Sequence, residues 1–144
     1  MRRALLDVNV LIALLDAAHV HHDMAMDWLE RDLAHGWASC PITQAGCIRI
    51  MCQPAYPGAF KAAEVAQRLK EAAATEHHAF WPDDVDLLAE QTLDWRRLLG
   101  HRQVTDAYLL ALATGHDGRF VTFDRRISAA TVPGARADRL VVIE

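Results

Sequence analysis

Three aspartates in this sequence stand where a carboxylate is costly. Asp7 interrupts the apolar run Leu5-Leu6-Asp7-Val8-Asn9-Val10. Asp106 begins the apolar stretch that continues through Ala107, Leu109, Leu110 and Leu112. Asp124 closes the apolar run Phe120-Val121-Thr122-Phe123. Burying a carboxylate is unfavourable unless something compensates its charge. Each has an ordinary reading alone: Asp7 and Asp124 as helix N-caps, Asp106 as an acid at the positive end of a helix. Taken together they suggest a divalent cation. Mg²⁺ takes oxygen ligands, keeps several waters and accepts phosphate oxygens. Crowded carboxylates raise one another's pKa, and a cation offsets that repulsion. It also acidifies bound water and stabilises charge on a phosphodiester during displacement. The expected site is therefore Asp7, Asp106 and Asp124 as metal ligands and catalytic carboxylates. Asn9, Thr105 and Thr122 are supporting polar groups, or ordinary capping and turn residues.

Other residues suit contact with nucleic acid. Arg49, Arg102, Arg125 and Arg126, together with Arg96 and Arg97, are candidate phosphate contacts, since guanidinium forks match phosphate geometry. Trp81, Trp95 and Phe123 are candidate stacking groups for unpaired bases, although Trp28 and Trp95 also read as core residues on helix faces. His19, His21 and His22 cluster, and His77 adjoins His78. No Cys/His spacing matches a zinc site, so these read as turn or surface histidines, with His19 or His22 placed to approach RNA. Ser39 and Ser128 lack the setting of a nucleophile. No glycine-rich phosphate loop is present, which argues against nucleoside triphosphate hydrolysis.

The acids need elements to carry them. Ala4 to Leu6 reads as a buried strand and Val10 to Leu15 as a helix that packs on the sheet. His22 to Ala34 has helical spacing in Ala25, Trp28, Leu29 and Leu33. Trp37 to Cys40 reads as a strand, and Pro41 opens a helix through about Met51. Gln53 to Gly58, with two prolines and a glycine, is a turn. Phe60 to Ala74 is expected to be a helix, and His78 to Trp81 a strand. Asp84 to Leu98 is expected to be a helix with Val85, Leu88, Leu93 and Trp95 inward. Thr105 to Thr114 reads as a helix, Arg119 to Thr122 as a strand, Asp124 to Ala129 as a short helix and Leu140 to Ile143 as a final strand. Short strands alternating with helices imply an α/β domain with a largely parallel sheet. In such sheets ligands lie at the carboxyl ends of strands, where Asp7 and Asp124 fall.

The composition sets outer bounds. The chain has 144 residues, 52% of them hydrophobic, which fits a single domain spanning 1–144. Net charge is −4, unlike proteins that coat nucleic acid, but compatible with a local grip through a metal and a few arginines. Three cysteines without a CxxC pair suit reduced thiols in a cytoplasmic protein. The first apolar run already carries Asp7 and Asn9, so it does not read as a signal peptide. It is also too short to span a membrane.

The motifs Leu5-Leu6-Asp7-Val8-Asn9-Val10-Leu11, Thr105-Asp106-Ala107-Tyr108-Leu109-Leu110-Ala111 and Val121-Thr122-Phe123-Asp124 resemble, in order, the three acidic motifs of PIN-domain ribonucleases. The resemblance is greatest to VapC-type toxins of type II toxin–antitoxin pairs. Two further segments, His19-Val20-His21-His22 and Pro41-Ile42-Thr43-Gln44-Ala45-Gly46, resemble a subset of these toxins. The resemblance implies a PIN-like three-layer α/β/α sandwich with a mostly parallel central sheet. It also implies Mg²⁺ dependence (or Mn²⁺), endoribonuclease cleavage of RNA, a VapB-type antitoxin as partner, and a homodimer. Many PIN domains carry a Glu after the second strand, and the matching position here reads as Gln44, which supplies no charge. Two other readings follow: a catalytically weakened RNA- or protein-binding module, or a metal-dependent phosphatase or DNA nuclease on a similar sheet.

Overall fold

Alternation along the two central strands sets the architecture. In the computed structural model, which describes residues 2–144, Leu5 and Phe120 point into one apolar layer. Ala4, Leu6 and Val121 point into the other. A strand buried on both faces must be apolar throughout, and β1 (Ala4–Leu6) and β4 (Arg119–Thr122) are buried at every residue. With β2 (Trp37–Ser39), β3 (His78–Phe80) and β5 (Leu140–Val142) they form one sheet in the order β3-β2-β1-β4-β5. Every strand pair is parallel. The expected three-layer α/β/α sandwich is observed.

Helix α5 (Val104–Gly115) covers one face, where Tyr108, Leu109 and Leu112 meet Leu5 and Phe120. Helices α1 (Val8–Leu15), α2 (His22–Asp32), α3 (Pro41–Met51) and α4 (Ala62–Ala73) supply the other layer. There Val10, Trp28, Cys47 and Val65 meet Leu6 and Val121. Each fully buried Leu, Val or Phe contributes roughly 1.5–3 kcal/mol, so the two clusters hold the sheet between them. From β1 the chain builds outward in one direction to β2 and β3. It then crosses back so that β4 lies on the other side of β1. The reversal leaves a crevice at the carboxyl ends of β1 and β4.

Two expected helices are absent. Residues 84–98 form turns with one 3-10 turn at Trp95–Arg97. Side chains here satisfy the backbone locally: Asp86 accepts from Leu88 N at 3.0 Å, and Thr92 Oγ1 donates to Asp86 O at 2.8 Å. Gln91 has φ +73°. Such bonds compete with a helical ladder. Leu88 is 81% exposed and Trp95 45% exposed, so neither packs inward as the periodicity suggested. The short helix expected from Asp124 to Ala129 is a turn followed by a 3-10 turn at Ala129–Thr131. Asp124 accepts from Arg126 N at 2.8 Å and Ser128 from Ala130 N at 3.2 Å, again through local side-chain acceptors. Elsewhere the element ends shift by one or two residues. No helix among the described residues is long and apolar enough to cross a membrane.

Candidate active site

Asp7 follows β1 and caps α1. Its Oδ1 accepts from Val8 N at 2.8 Å, so one cap bond starts the helix and fixes the carboxylate. Parallel pairing aligns Leu6 with Val121, which brings Asp7 beside Thr122 across the crevice. Thr122 Oγ1 donates to Asp7 Oδ2 at 2.6 Å and accepts from Asp124 N at 3.0 Å. A single buried hydroxyl thus couples the loop after β1 to the loop after β4. Asp106 enters from the other layer, in the first turn of α5.

The electrostatics distinguish the three acids. Asp7 is 6% exposed. Burial pushes its pKa up, with Asp124 adding to the rise, against the bonds from Thr122 and Val8. Asp106 is pushed up to about 7, by burial first and then by the charges of Asp7 and Asp124. Asp124 is held below the usual carboxylate range by Arg126. The Arg126 guanidinium forks onto it, Nε to Oδ1 at 3.0 Å and Nη2 to Oδ2 at 3.1 Å. The crevice therefore collects like charge, and one of its acids is answered by an arginine.

The donor set is three carboxylates, which suits a hard divalent cation. Among the described residues, no three His, Cys, Asp or Glu side chains stand close enough to hold one ion as they are arranged. Both Asp124 oxygens accept from Arg126, so the guanidinium competes with a cation for that carboxylate. The mutual repulsion felt by Asp106 is the charge imbalance a cation would relieve.

Other expected site residues scatter. Arg102 lines a cleft of about 360 Å³ together with Asp124 and Arg126. Arg125 turns to Glu144, 3.7 Å away. Arg49 lies in the last turn of α3, roughly 12 Å along the axis from its first residue, away from the carboxyl edge. Asn9 and Thr105 are exposed. Gln44 does not face the acids: its Nε2 donates to Ser39 Oγ at 3.0 Å, and Ser39 Oγ lies 2.8 Å from His78 Nε2. The α3 position that meets the start of α1 is Gly46, where a Cβ would stand 2.8 Å from Val8 Cγ2. It lies about 200° around the helix from Gln44. Sequence reasoning missed the Arg126 fork; its signal is an arginine two residues after an acid that ends an apolar run.

An open parallel sheet with carboxylates from β1, β4 and α5 at its switch point defines an acidic α/β domain, and the chain belongs to the PIN-domain family, whose model matches residues 4–132. It is 50% identical to Ribonuclease VapC44 of Mycobacterium tuberculosis over 141 residues, covering 98% of this chain and 99% of that relative. It is 41% identical to Ribonuclease VapC39 of the same organism over 132 residues, covering 91% and 95%. The fold is shared with the crystal structure of Mycobacterium tuberculosis VapC20, a toxin that cleaves the sarcin–ricin loop (TM-score 0.61, 16% identity, 92% of this chain and 98% of that one). It is also shared with Rickettsia felis VapBC2 bound to a promoter DNA fragment (TM-score 0.59, 14% identity, 96% of each chain).

Proposed function

We propose that this protein is a metal-dependent endoribonuclease, the toxin of a VapBC-type pair. The observation that carries the reading is the coupled carboxylate cluster: Asp7 and Asp124 joined through Thr122 Oγ1, with Asp106 raised to about 7 beside them. The relatives' names supply the substrate class, since VapC44 and VapC39 are ribonucleases. Asp7, Asp106 and Asp124 would hold Mg²⁺ or Mn²⁺. When bound there, the cation supplies an acidified water and stabilises charge on the phosphodiester.

The chain's own groups do the rest. Thr122 fixes the Asp7 rotamer through Oδ2 while the Val8 amide holds Oδ1, so this carboxylate is preorganised. Asp106, pushed up to about 7 by burial and then by the charges of Asp7 and Asp124, divides between its protonated and ionised forms near neutral pH. Arg102 and Arg126 line the same cleft as Asp124, where guanidinium groups can orient a backbone phosphate. Gln44 directs its amide to Ser39, so the charge offered to a cation is that of the three aspartates. A small antitoxin partner belongs to the same proposal, in line with the VapBC complex that shares the fold, and a homodimer is proposed with it.

The test is cleavage of total bacterial RNA, read by 5′-end sequencing, with wild type and Asp7→Asn. Each is run in Mg²⁺, in Mn²⁺ and in chelator. Discrete, metal-requiring cuts that vanish in Asp7→Asn are expected. Cuts that persist in chelator or in Asp7→Asn would sink the proposal.

A further inference from the structure

The loop between α1 and α2 is built rather than loose. Asp16 Oδ1 accepts from Ala18 N at 3.0 Å, and Asp16 Oδ2 accepts from Tyr56 OH at 2.6 Å. His19 N donates to Asp16 O and His22 N to His19 O, each at 3.0 Å. His19 Nδ1 accepts from His21 N at 3.0 Å, and His22 Nδ1 lies 2.7 Å from Ala13 O. Among the described residues the His21 ring takes no hydrogen bond. Instead it lies against Phe123, with centroids 5.1 Å apart, and 5.7 Å from the His19 ring.

Phe123 packs partly against the core cluster of Leu6 and Val121, but core packing does not account for the His21 ring that lies on it. His21 is exposed and Phe123 half-buried, so the pair buries little. Its location is informative, because Phe123 directly precedes Asp124 in the chain, and Asp124 lines a cleft together with Arg126 and Arg102. Asp124 therefore has an aromatic residue next to it in the chain and two arginines in its cleft. The chain carries −4 net charge and a like-charged acid cluster, which repels a polyanion. A contact with no charge requirement is what such a site needs, and base–aromatic stacking provides one. Single-stranded RNA is recognised by stacking splayed bases on aromatic and histidine rings. A ring already fixed in position loses little freedom when it is used.

We infer that His21, backed by Phe123 and His19, stacks an unpaired nucleobase beside the phosphodiester that is cut. The inference rests on the ribonuclease reading and adds the binding surface for the substrate's base. His21 acts here as a positioning residue and takes no part in bond breaking.

The experiment uses the full chain and a single-stranded RNA oligonucleotide containing a mapped cut site, compared across wild type, His21→Ala and His21→Phe. His21→Ala is expected to raise KM about tenfold, within the range that one stacked base contributes, and to change kcat by less than about twofold, the mark of uniform binding. His21→Phe should restore KM. In a second arm, 2-aminopurine replaces each nucleotide flanking the cut and fluorescence is read with uncut Asp7→Asn protein. Quenching at one flanking position is expected, and it should be lost in Asp7→Asn/His21→Ala. Unchanged KM with unchanged quenching overturns the inference while the ribonuclease stands. A fall in kcat without a change in KM also overturns it, by assigning His21 to the chemistry. If the wild type cuts no RNA, the ribonuclease reading fails. Fluorescence of RNA substituted throughout with 2-aminopurine then decides the stacking surface alone, and no His21-dependent quenching overturns it.

Discussion

Two polar clusters sit on the same sheet, and they are built on opposite terms. At β1 and β4, Thr122 joins Asp7 to the Asp124 backbone, while Asp106 feels the charge of both acids. At β2 and β3, Ser39 joins Gln44 to His78. The second cluster is neutral and closes on itself, with donors matched to acceptors and burial lowering the His78 pKa. The first has its hydrogen bonds but an excess of like charge. Hydrogen bonding alone therefore does not distinguish a structural network from a working site. The uncompensated charge does, because it calls for something from outside the chain.

The largest effect that would sharpen this contrast is at Asp7. Asp7→Asn should reduce RNA cleavage by more than about a hundredfold, beyond the 10–100-fold typical of a ligand's supporting partner. It should also raise the melting temperature, because it removes a charge that burial disfavours. Rate assays and thermal melts on one preparation test both. A fall in melting temperature would show that the charge is not a strain.

Thr122→Val should cost about 10–100-fold in metal affinity or cleavage, whereas Ser39→Ala should leave cleavage unchanged and lose about 1 kcal/mol of stability. Isothermal titration with Mn²⁺ and urea unfolding separate them. Equal losses of cleavage would erase the distinction between the clusters.

A pH effect follows from Asp106. Its pKa is about 7 in the fold against an ordinary 3.8. Between roughly pH 4 and 7 the folded chain keeps a proton that the unfolded chain has released, so stability falls as pH rises through that window and levels off above it. Thermal melts in chelator should show this decline, and Asp106→Asn should flatten it. A stability that rises across the window in wild type alone would contradict the raised pKa.

The smallest effect is expected at Arg126. Arg126→Ala removes the fork that holds Asp124 low, so the Asp124 midpoint should rise, as read by carboxyl NMR. Mn²⁺ should bind the variant more tightly, because the competing cation is gone. Weaker binding would mean that Arg126 supports the metal site and does not compete with it.

Much of the frame was legible along the chain. Ala4 to Leu6 is a short apolar run and Arg119 to Thr122 carries Phe120 and Val121 at its centre; both end near acids, and strands buried on both faces favour such composition. The ordered acidic motifs fixed Asp7, Asp106 and Asp124 as the residues to watch. Residues 84–98 misled because Val85, Leu88 and Trp95 carry helical spacing, while Asp86, Thr92 and Asp94 take up the backbone locally. Gln44 misled for a different reason. Position in a motif does not say which side of a helix faces the site, and the rotation of α3 against α1 turns Gly46 toward Val8 and Gln44 toward Ser39.

By itself, the sequence determined the layers, the short buried central strands and the three acids, because burial and local pattern act on neighbours along the chain. Only the tertiary structure decided the pairing of Asp7 with Asp124 through Thr122, the Arg126 fork and the placement of His21 on Phe123. The Asp7–Thr122 and His21–Phe123 contacts join residues about a hundred positions apart through the parallel β1–β4 pairing. The fork depends on the turn that replaces the expected helix after β4. Charge acts through space, so the environment of each carboxylate followed from that pairing and that turn.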